Sequence, residues 1–236
     1  MCLIIHATNR HAIHAIPSAV LVQAWKGNAD GAGIAYRTER EGKVSVLKGI
    51  MELPGLLDAW DRLIGKTAIV EVAIHVRFST GGLTNAANTH PFLMRHGALV
   101  HNGRLGIAGT KAESDTARFA RLVHKMPMAE VAELLESSEL LSGSRVLLMP
   151  HGKKAIKLGE WHRGIVRGLY LSQTYSAPQL VRPRPVVVRS TQYQRTPWSD
   201  AELVRMNTPP SSGMRKNADI DPDYDVWLAH LDAPGE

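Results

Sequence analysis

The only cysteine of the 236-residue chain is its second residue, Cys2. One cysteine forms neither an internal disulfide nor a thiolate zinc site, so the usual structural roles of cysteine are excluded. Two interpretations stay open at this point: a small buried side chain in an N-terminal strand, or a nucleophilic thiol. Removal of Met1 would give Cys2 a free α-amine with a pKa of about 7.7–8.0 beside a thiol of about 8.5. The residue would then carry its own general base.

Five further short patterns contain residue types suited to binding or catalysis. In chain order they are Asn28-Ala29-Asp30-Gly31-Ala32-Gly33, His75-Val76-Arg77-Phe78-Ser79-Thr80-Gly81-Gly82, Asn88-Thr89-His90-Pro91-Phe92, His101-Asn102-Gly103 and Ser114-Asp115-Thr116. Each one alone has a structural explanation. Asn-Gly is a hairpin signal, so Asn102-Gly103 alone favours a type I′ turn, and Ser114 with Asp115 is typical of a helix N-cap.

Together, and in this order, the patterns resemble the glutaminase domain of the class II glutamine amidotransferases, which are N-terminal nucleophile hydrolases. The Asn-x-Asp-Gly-x-Gly element and the chain length are most similar to the compact, single-domain branch of that family. The resemblance covers about residues 2–175. It implies an α+β fold, a four-layer αββα sandwich of two antiparallel sheets flanked by helices.

The resemblance also implies roles for individual residues. The thiolate of Cys2 would attack the side-chain amide of glutamine, giving a γ-glutamyl thioester and ammonia, and water would then release glutamate. Asn102, through its side-chain amide, and Gly103, through its backbone N–H, would hold the oxyanion. Arg77 can bind the α-carboxylate of glutamine and Asp115 its α-ammonium.

By the same resemblance, Thr80 and His90 line the glutamine pocket, while His75 is expected to be a structural support. Phe78 and Gly81 stand where some relatives carry other residues around the substrate lid. The loop that covers glutamine is therefore expected to close differently. No metal and no cofactor are expected.

Hydrophobic periodicity and turn signals predict an α+β sandwich. Strands are predicted over residues 2–7, 31–37, 43–48, 67–78, 98–101, 145–149, 154–158 and 166–171, and helices over 17–26, 52–63, from 114–115 through 126, and 128–136. The strand over 67–78 is the most informative, because its alternation directs His75 and Arg77 to one face. Val70, Val72, Ile74, Val76 and Phe78 are predicted to share the other face.

The composition predicts one domain, residues 2–175, followed by a Pro/Arg-rich extended tail, residues 176–236, with an acidic C-terminal segment. The net charge is +6. Residues 182–216 include seven basic and two acidic residues, whereas the last twenty residues include six acidic residues and no Lys or Arg. This asymmetry makes nucleic acid an unlikely partner. No apolar run reaches bilayer length and no secretory signal is present, so a cytoplasmic location is expected.

Three functions follow as hypotheses. The first is a glutaminase that supplies ammonia to a separate acceptor enzyme in trans, because a tail of this length cannot form a synthase domain. The second is a stand-alone hydrolase of another γ-glutamyl amide. The third is a non-catalytic module that binds a partner or nucleic acid through the basic segment.

Overall fold

The computed structural model describes residues 2–39, 42–66, 68–141 and 143–181. Its strands are β1 (Leu3–Ala7), β2 (Ala32–Thr38), β3 (Val44–Ile50), β4 (Ile69–Val76), β5 (Phe92–Met94), β6 (Gly97–Asn102), β7 (Arg145–Pro150), β8 (Ile156–Leu158), β9 (His162–Arg163) and β10 (Leu169–Leu171). Its α-helices are α1 (Arg10–His14), α2 (Ser18–Gly27), α3 (Leu53–Ile64), α4 (Asp115–Leu122) and α5 (Met128–Ser137).

The strands form two antiparallel sheets. The six-stranded sheet has the order β3-β2-β4-β1-β10-β9, and the four-stranded sheet has the order β5-β6-β7-β8. The pairing of β1 with β4 places Leu3 opposite Val76 and Ile4 opposite His75. The start of the chain therefore lies beside the end of β4.

Three apolar layers hold the sheets and helices together. The layer between the sheets contains Ile4 and Ala73 from the larger sheet and Val100 and Leu147 from the smaller one. On the outer face of the larger sheet, α1, α2 and α3 pack through apolar side chains such as that of Trp60 in α3, which is fully buried. Helices α4 and α5 cover the outer face of the smaller sheet. The predicted α+β sandwich of two antiparallel sheets flanked by helices is confirmed.

Strand β4 shows the predicted alternation over most of its length. Val72, Ile74 and Val76 enter the outer core, while Ala73 faces the other sheet. The prediction is wrong for Phe78, whose side chain is 44% exposed. The strand ends at Val76, and the chain turns away before residue 78, so the alternation no longer applies there.

Two local signals have different outcomes. Ser114 is the N-cap of α4 and accepts a hydrogen bond from the Ala117 N–H, as predicted. Asn102-Gly103, however, forms no hairpin, because the next strand along the chain is β7 and two helices intervene. Helix α4, predicted to run through residue 126, ends at Leu122, which is 59% exposed.

Short elements were missing from the sequence prediction. Helix α1 has only five residues and begins at the N-cap Asn9, whose side chain accepts from the Ala12 N–H. Strands β5 and β9 have three and two residues. Such lengths are too short for a hydrophobic period to be recognised.

The first six residues assigned to the tail pack on the domain. Ala177 and Leu180 belong to the core beside α1–α3, and Ser176 Oγ accepts a hydrogen bond of 3.2 Å from Asn28 Nδ2. The remainder of the predicted tail, including the basic segment and the acidic C-terminal segment, lies outside the described residues. Within the described ranges, no helix has the length and apolar character that a bilayer crossing requires.

Three buried imidazoles lie near the ends of β4 and β6. The ring of His90 is 4.2 Å from that of His75 and 6.3 Å from that of His101, measured between centroids. Burial lowers the pKa of His75 to about 3 and that of His101 to about 4, and it lowers the pKa of His90 well below its ordinary value. The folded protein therefore holds all three in the neutral form at neutral pH.

Gly33 is required for close packing of β2 against the segment around His90. A Cβ at residue 33 would lie 2.2 Å from the His90 carbonyl oxygen and 2.6 Å from that of Leu47. We expect Gly33→Ala to lower the free energy of unfolding by about 1–3 kcal/mol, because backbone rather than a flexible side chain must move. The matched control is Gly27→Ala in α2, where an added Cβ meets nothing within 4 Å. Equal midpoints for the two variants in denaturant unfolding would contradict this interpretation.

The neutral imidazoles predict how stability depends on pH. In the unfolded chain these imidazoles titrate near pH 6.5, above their pKa values in the folded protein. The stability that they contribute to the folded state is therefore complete above about pH 6.5 and is lost as the pH falls below it. Each imidazole lowers the free energy of unfolding by up to about 1.4 kcal/mol per pH unit in that window. Between pH 6.5 and 5 we expect His75→Leu to give a shallower dependence than the parent protein. Leu99→Ala, which truncates a fully buried side chain that does not titrate, should lower the free energy of unfolding without changing its slope against pH. Parallel curves of unfolding free energy against pH for His75→Leu and the parent protein would refute the assignment of this pH dependence to His75.

Candidate functional site

Cys2 lies immediately before β1 and contacts the segment that follows β4. Its Sγ is 3.3 Å from both the backbone nitrogen and the carbonyl oxygen of Phe78, so the N–H donates to sulfur and the thiol donates to the carbonyl. The side chain is half-buried. Burial raises the pKa of the Cys2 thiol, and the hydrogen bond from the Phe78 N–H acts in the opposite direction.

Arg77 follows β4 directly and is 3% exposed. Its Nη2 donates to Ser79 Oγ at 3.0 Å and to the Gly81 carbonyl at 3.1 Å. Burial lowers the pKa of the guanidinium, while the charges of Cys2, Asp30 and Asp115 favour its protonated form. Among the described residues, no carboxylate forms an ion pair with Arg77. The groups that accept hydrogen bonds from this buried cation are therefore neutral.

The Asn28–Gly33 pattern holds the segment that carries Arg77. Asp30 Oδ2 accepts a hydrogen bond of 2.7 Å from the Ser79 N–H. The Asp30 N–H donates to the Arg77 carbonyl, and the Arg77 N–H donates to the Gly31 carbonyl. The Asp30 carboxylate thus fixes the loop beside Cys2.

Asn88 joins two loops that border the site. Its Oδ1 accepts from the Ser114 N–H at 2.9 Å, and its Nδ2 donates to the carbonyls of Leu83 and Ala112 at 2.9 and 2.8 Å. One buried amide thus connects the segment after Arg77 with the beginning of α4.

Asp115 occupies the first turn of α4, where the helix dipole favours a carboxylate. Its Oδ2 accepts from the Leu105 N–H at 2.8 Å, and its Oδ1 accepts from the Thr116 N–H at 2.6 Å. The Thr116 hydroxyl lies 3.1 Å from Asp115 Oδ1 and 2.7 Å from His101 Nδ1. These contacts fix the carboxylate in place before any ligand arrives.

Asn102 and Gly103 end β6 on the other side of Cys2. Asn102 Nδ2 lies 2.8 Å from Ser172 Oγ, which also accepts a hydrogen bond of 2.8 Å from the Ile4 N–H. Asn102 Oδ1 is buried without a partner among the described residues. Gly103 has a φ of +137°, and a Cβ there would lie 2.3 Å from Ser144 Oγ. Only glycine fits this position.

Two cavities meet at Cys2. The first, here called the Arg77 cavity, has a volume of about 20 Å³ and contains six of the predicted site residues: Cys2, Arg77, Thr80, His90, Gly103 and Asp115. The second, here called the Arg145 cavity, has a volume of about 240 Å³. It is lined by Cys2, Thr80, Asn102, Gly103, Arg104, Gly143, Ser144 and Arg145. The structure thus brings the six other predicted residues to the two cavities beside the Cys2 thiol, with Asn102 on the second cavity.

His90 and Thr80 differ in how they are held. Neither ring nitrogen of the buried His90 has a hydrogen-bond partner among the described residues, whereas Thr80 is exposed. In the described part of the chain, no three His, Cys, Asp or Glu side chains are grouped in a way that could hold a metal ion.

Sequence reasoning missed the residues that reach the site from far along the chain. Ser172 follows β10 and contacts Ile4 and Asn102, which are 168 and 70 residues away. Arg145 begins β7, opposite Asn102. Neither residue belongs to a recognisable motif, and the pairing of the strands is the only signal that connects them with Cys2.

Comparisons with known proteins are consistent with this architecture. No protein-family model matches the chain. No curated protein matches it. Among solved structures, the chain is similar to glutamine phosphoribosylpyrophosphate (PRPP) amidotransferase from B. subtilis, complexed with ADP and GMP, with a TM-score of 0.52 and 18% identity. The match covers 76% of this chain and 43% of that chain, so the chain spans less than half of the neighbour's length. At this identity the likeness shows the fold, which is the N-terminal nucleophile hydrolase fold with its two antiparallel sheets between helices.

Proposed function

We propose that this protein is a glutamine amidohydrolase in which Cys2 is the nucleophile. One observation carries the proposal: a thiol, a fixed carboxylate and a buried guanidinium, which has no ion-pair partner within the described ranges, border the same small cavity. Glutamine presents the complementary groups, which are an α-carboxylate, an α-ammonium and a side-chain amide. The similar fold of a glutamine PRPP amidotransferase supports the proposal.

Recognition of the amino-acid end rests on Arg77 and Asp115. Arg77 offers the α-carboxylate its positive charge and the N–H donors that Ser79 and Gly81 leave free, and Asp115 accepts from the α-ammonium. Because Asp115 is already oriented by the Leu105 and Thr116 N–H groups, little ordering is required on binding. The Arg77 cavity holds hardly more volume than one water molecule needs. Entry of a glutamyl group therefore requires the exposed loop around Thr80 to move outward.

Activation of the nucleophile requires the loss of Met1. Burial favours the neutral thiol of Cys2, and the free α-amine of Cys2 would accept its proton. The thiolate then adds to the amide carbon, the C–N bond breaks, and ammonia leaves with the proton returned by the α-ammonium. Water hydrolyses the thioester to glutamate and regenerates the thiol.

The tetrahedral intermediate carries a negative oxygen that needs donors in place. Asn102 and Gly103 are the proposed donors, and Ser172 is proposed to position the Asn102 amide. The amide nitrogen has two hydrogens and Ser172 accepts at most one of them, so an N–H remains available. Turning the amide over would let the Ser172 hydroxyl donate to Oδ1, which leaves both N–H groups for the ligand.

The ammonia is proposed to pass to a separate acceptor enzyme, and the description of the structural neighbour as an amidotransferase supports transfer to an acceptor. A larger leaving group is the second candidate, and the volume of the Arg145 cavity favours it. A non-catalytic role in binding a partner or nucleic acid predicts that no turnover is detected.

Labelling tests the nucleophile, the processing and the substrate class together. We expect the purified protein to begin at Cys2, to release glutamate from glutamine, and to gain one adduct on Cys2 from a glutamine-like diazo-ketone in mass spectrometry. The control is Cys2→Ser, which should bind the reagent without the adduct and lose turnover by several orders of magnitude. A protein that begins at Cys2 but gives neither adduct nor glutamate would refute the proposal.

A double-mutant cycle tests whether Ser172 acts through Asn102. We expect Asn102→Ala to lower kcat by about 10²–10³, and Ser172→Ala to lower it by roughly 10- to 100-fold, since misplacing a catalytic group by about 1 Å has effects of that order. KM should change little in either variant. In the Asn102→Ala background, Ser172→Ala should cost almost nothing further. Additive effects on kcat would mean that Ser172 supports only the fold.

A further inference from the structure

We propose that the groove between β5 and the end of α4, here called the α4 groove, is a docking surface for another protein. The segment that it fits is acidic and carries large apolar side chains. The α4 groove has a volume of about 520 Å³, which is larger than the two cavities beside Cys2. No residue proposed to bind glutamine lines it, so this docking role goes beyond the proposed function.

Exposed apolar surface is the first reason. Six of the nine lining residues are apolar: Phe92, Leu93, Ala117, Ala120, Leu122 and Met126. Leu93 and Leu122 are 55% and 59% exposed, and they are the two most exposed leucines of the described residues. Because both border one groove, a partner that fills it removes their side chains from water together.

The form of the groove is the second reason. Strand β5 is an edge strand, which pairs with β6 on one side and with no described strand on the other. The segment after α4 contacts the sheet directly after β5, where the Arg95 N–H donates to the His124 carbonyl at 3.1 Å. This hydrogen bond joins the two walls of the α4 groove. The groove is therefore formed before a partner arrives, which lowers the cost of binding.

Charge identifies the partner. The other three lining residues are Arg121, His124 and Lys125, and none of the nine is acidic. Arg121 forms an ion pair with Glu113, whereas the exposed Lys125 forms none within the described ranges. Cations beside exposed leucines are complementary to a segment in which carboxylates accompany apolar side chains.

The surface beyond the groove has the same sign. A neighbouring cavity of about 220 Å³ includes His96, from the turn between β5 and β6, together with His151, Lys153 and Lys154. None of its lining residues is acidic. A basic surface that extends past the groove attracts an acidic partner over a longer distance than one lysine can.

The same side chains favour a protein over nucleic acid. Single-stranded nucleic acid is held largely by aromatic side chains on which its bases stack. The phenylalanine of the α4 groove, Phe92, is only 9% exposed, and its ring packs edge to face against His90 at 4.9 Å between centroids. Exposed leucines, by contrast, match the apolar side chains of a polypeptide.

Selection of short peptides from a random displayed library tests the chemistry of the partner. The full chain is the target, and the double variant Leu122→Ser/Lys125→Glu is the counter-target. We expect the peptides that prefer the parent protein to be net acidic and to contain more than one large apolar residue. Fluorescence anisotropy of a labelled enriched peptide then measures its affinity for the single variants.

The single variants separate charge from apolar burial. Lys125→Glu should weaken the binding of the peptide about tenfold at low salt and less at high salt, because exposed charges are screened. Leu122→Ser should weaken it about fivefold or more at both salt concentrations, since its effect is the loss of apolar burial. The controls are Lys66→Glu and Leu83→Ser, which change exposed residues of the same types outside the α4 groove and should keep the parent affinity.

Several results would overturn the proposal. A selection without enrichment, enriched peptides that are basic or lack apolar residues, or equal binding to the parent and the double variant each does so. A labelled oligonucleotide that binds more tightly than the peptides, and is weakened by Lys125→Glu but not by Leu122→Ser, makes the surface a nucleic-acid site instead. Self-association in sedimentation that Leu122→Ser abolishes assigns the groove to a second copy. Glutamate release and labelling of Cys2 are independent of these outcomes, so the proposed function is tested separately.

Discussion

The site depends on the antiparallel register between β1 and β4. Because Leu3 pairs with Val76, the residue before β1 lies beside the residues that follow β4. This pairing brings Cys2 within hydrogen-bond distance of Phe78 and close to Arg77. A slip of one residue would turn every side chain of β1 to the opposite face and remove Ile4 from the layer between the sheets. The packing that stabilises the sandwich is therefore the same constraint that places the thiol.

Burying Arg77 is costly unless its donors are satisfied. The loop after β4 supplies neutral acceptors, the Ser79 hydroxyl and the Gly81 carbonyl. The loop itself is fixed by Asp30, while Asn88 connects it to the beginning of α4. Five sequence patterns, each with a local structural explanation, thus form one hydrogen-bonded frame around a guanidinium that has no ion-pair partner among the described residues. That frame explains why the patterns occur together.

Much of this was accessible from the sequence, because it depends on local rules. The alternation along β4 predicted that His75 and Arg77 share a face, and the Ser-Asp pair predicted where α4 begins. The resemblance to class II amidotransferases supplied seven of the residues that line the two cavities. The errors arose where tertiary contacts override local signals. The Asn102-Gly103 pair has the sequence of a hairpin turn, but the residue that pairs with Asn102 is Arg145 on β7, far along the chain. Ser172, which contacts Asn102, belongs to no motif.

The two sides of Cys2 differ in space. Arg77 and Asp115 are held by hydrogen bonds around a cavity of about 20 Å³, whereas Arg104 and Arg145 border a cavity of about 240 Å³. The loop that carries Thr80 also supplies the Ser79 and Gly81 acceptors for Arg77. Any movement of this loop that enlarges the smaller cavity therefore also changes how the guanidinium is held, so access to the site and the position of its buried cation are linked.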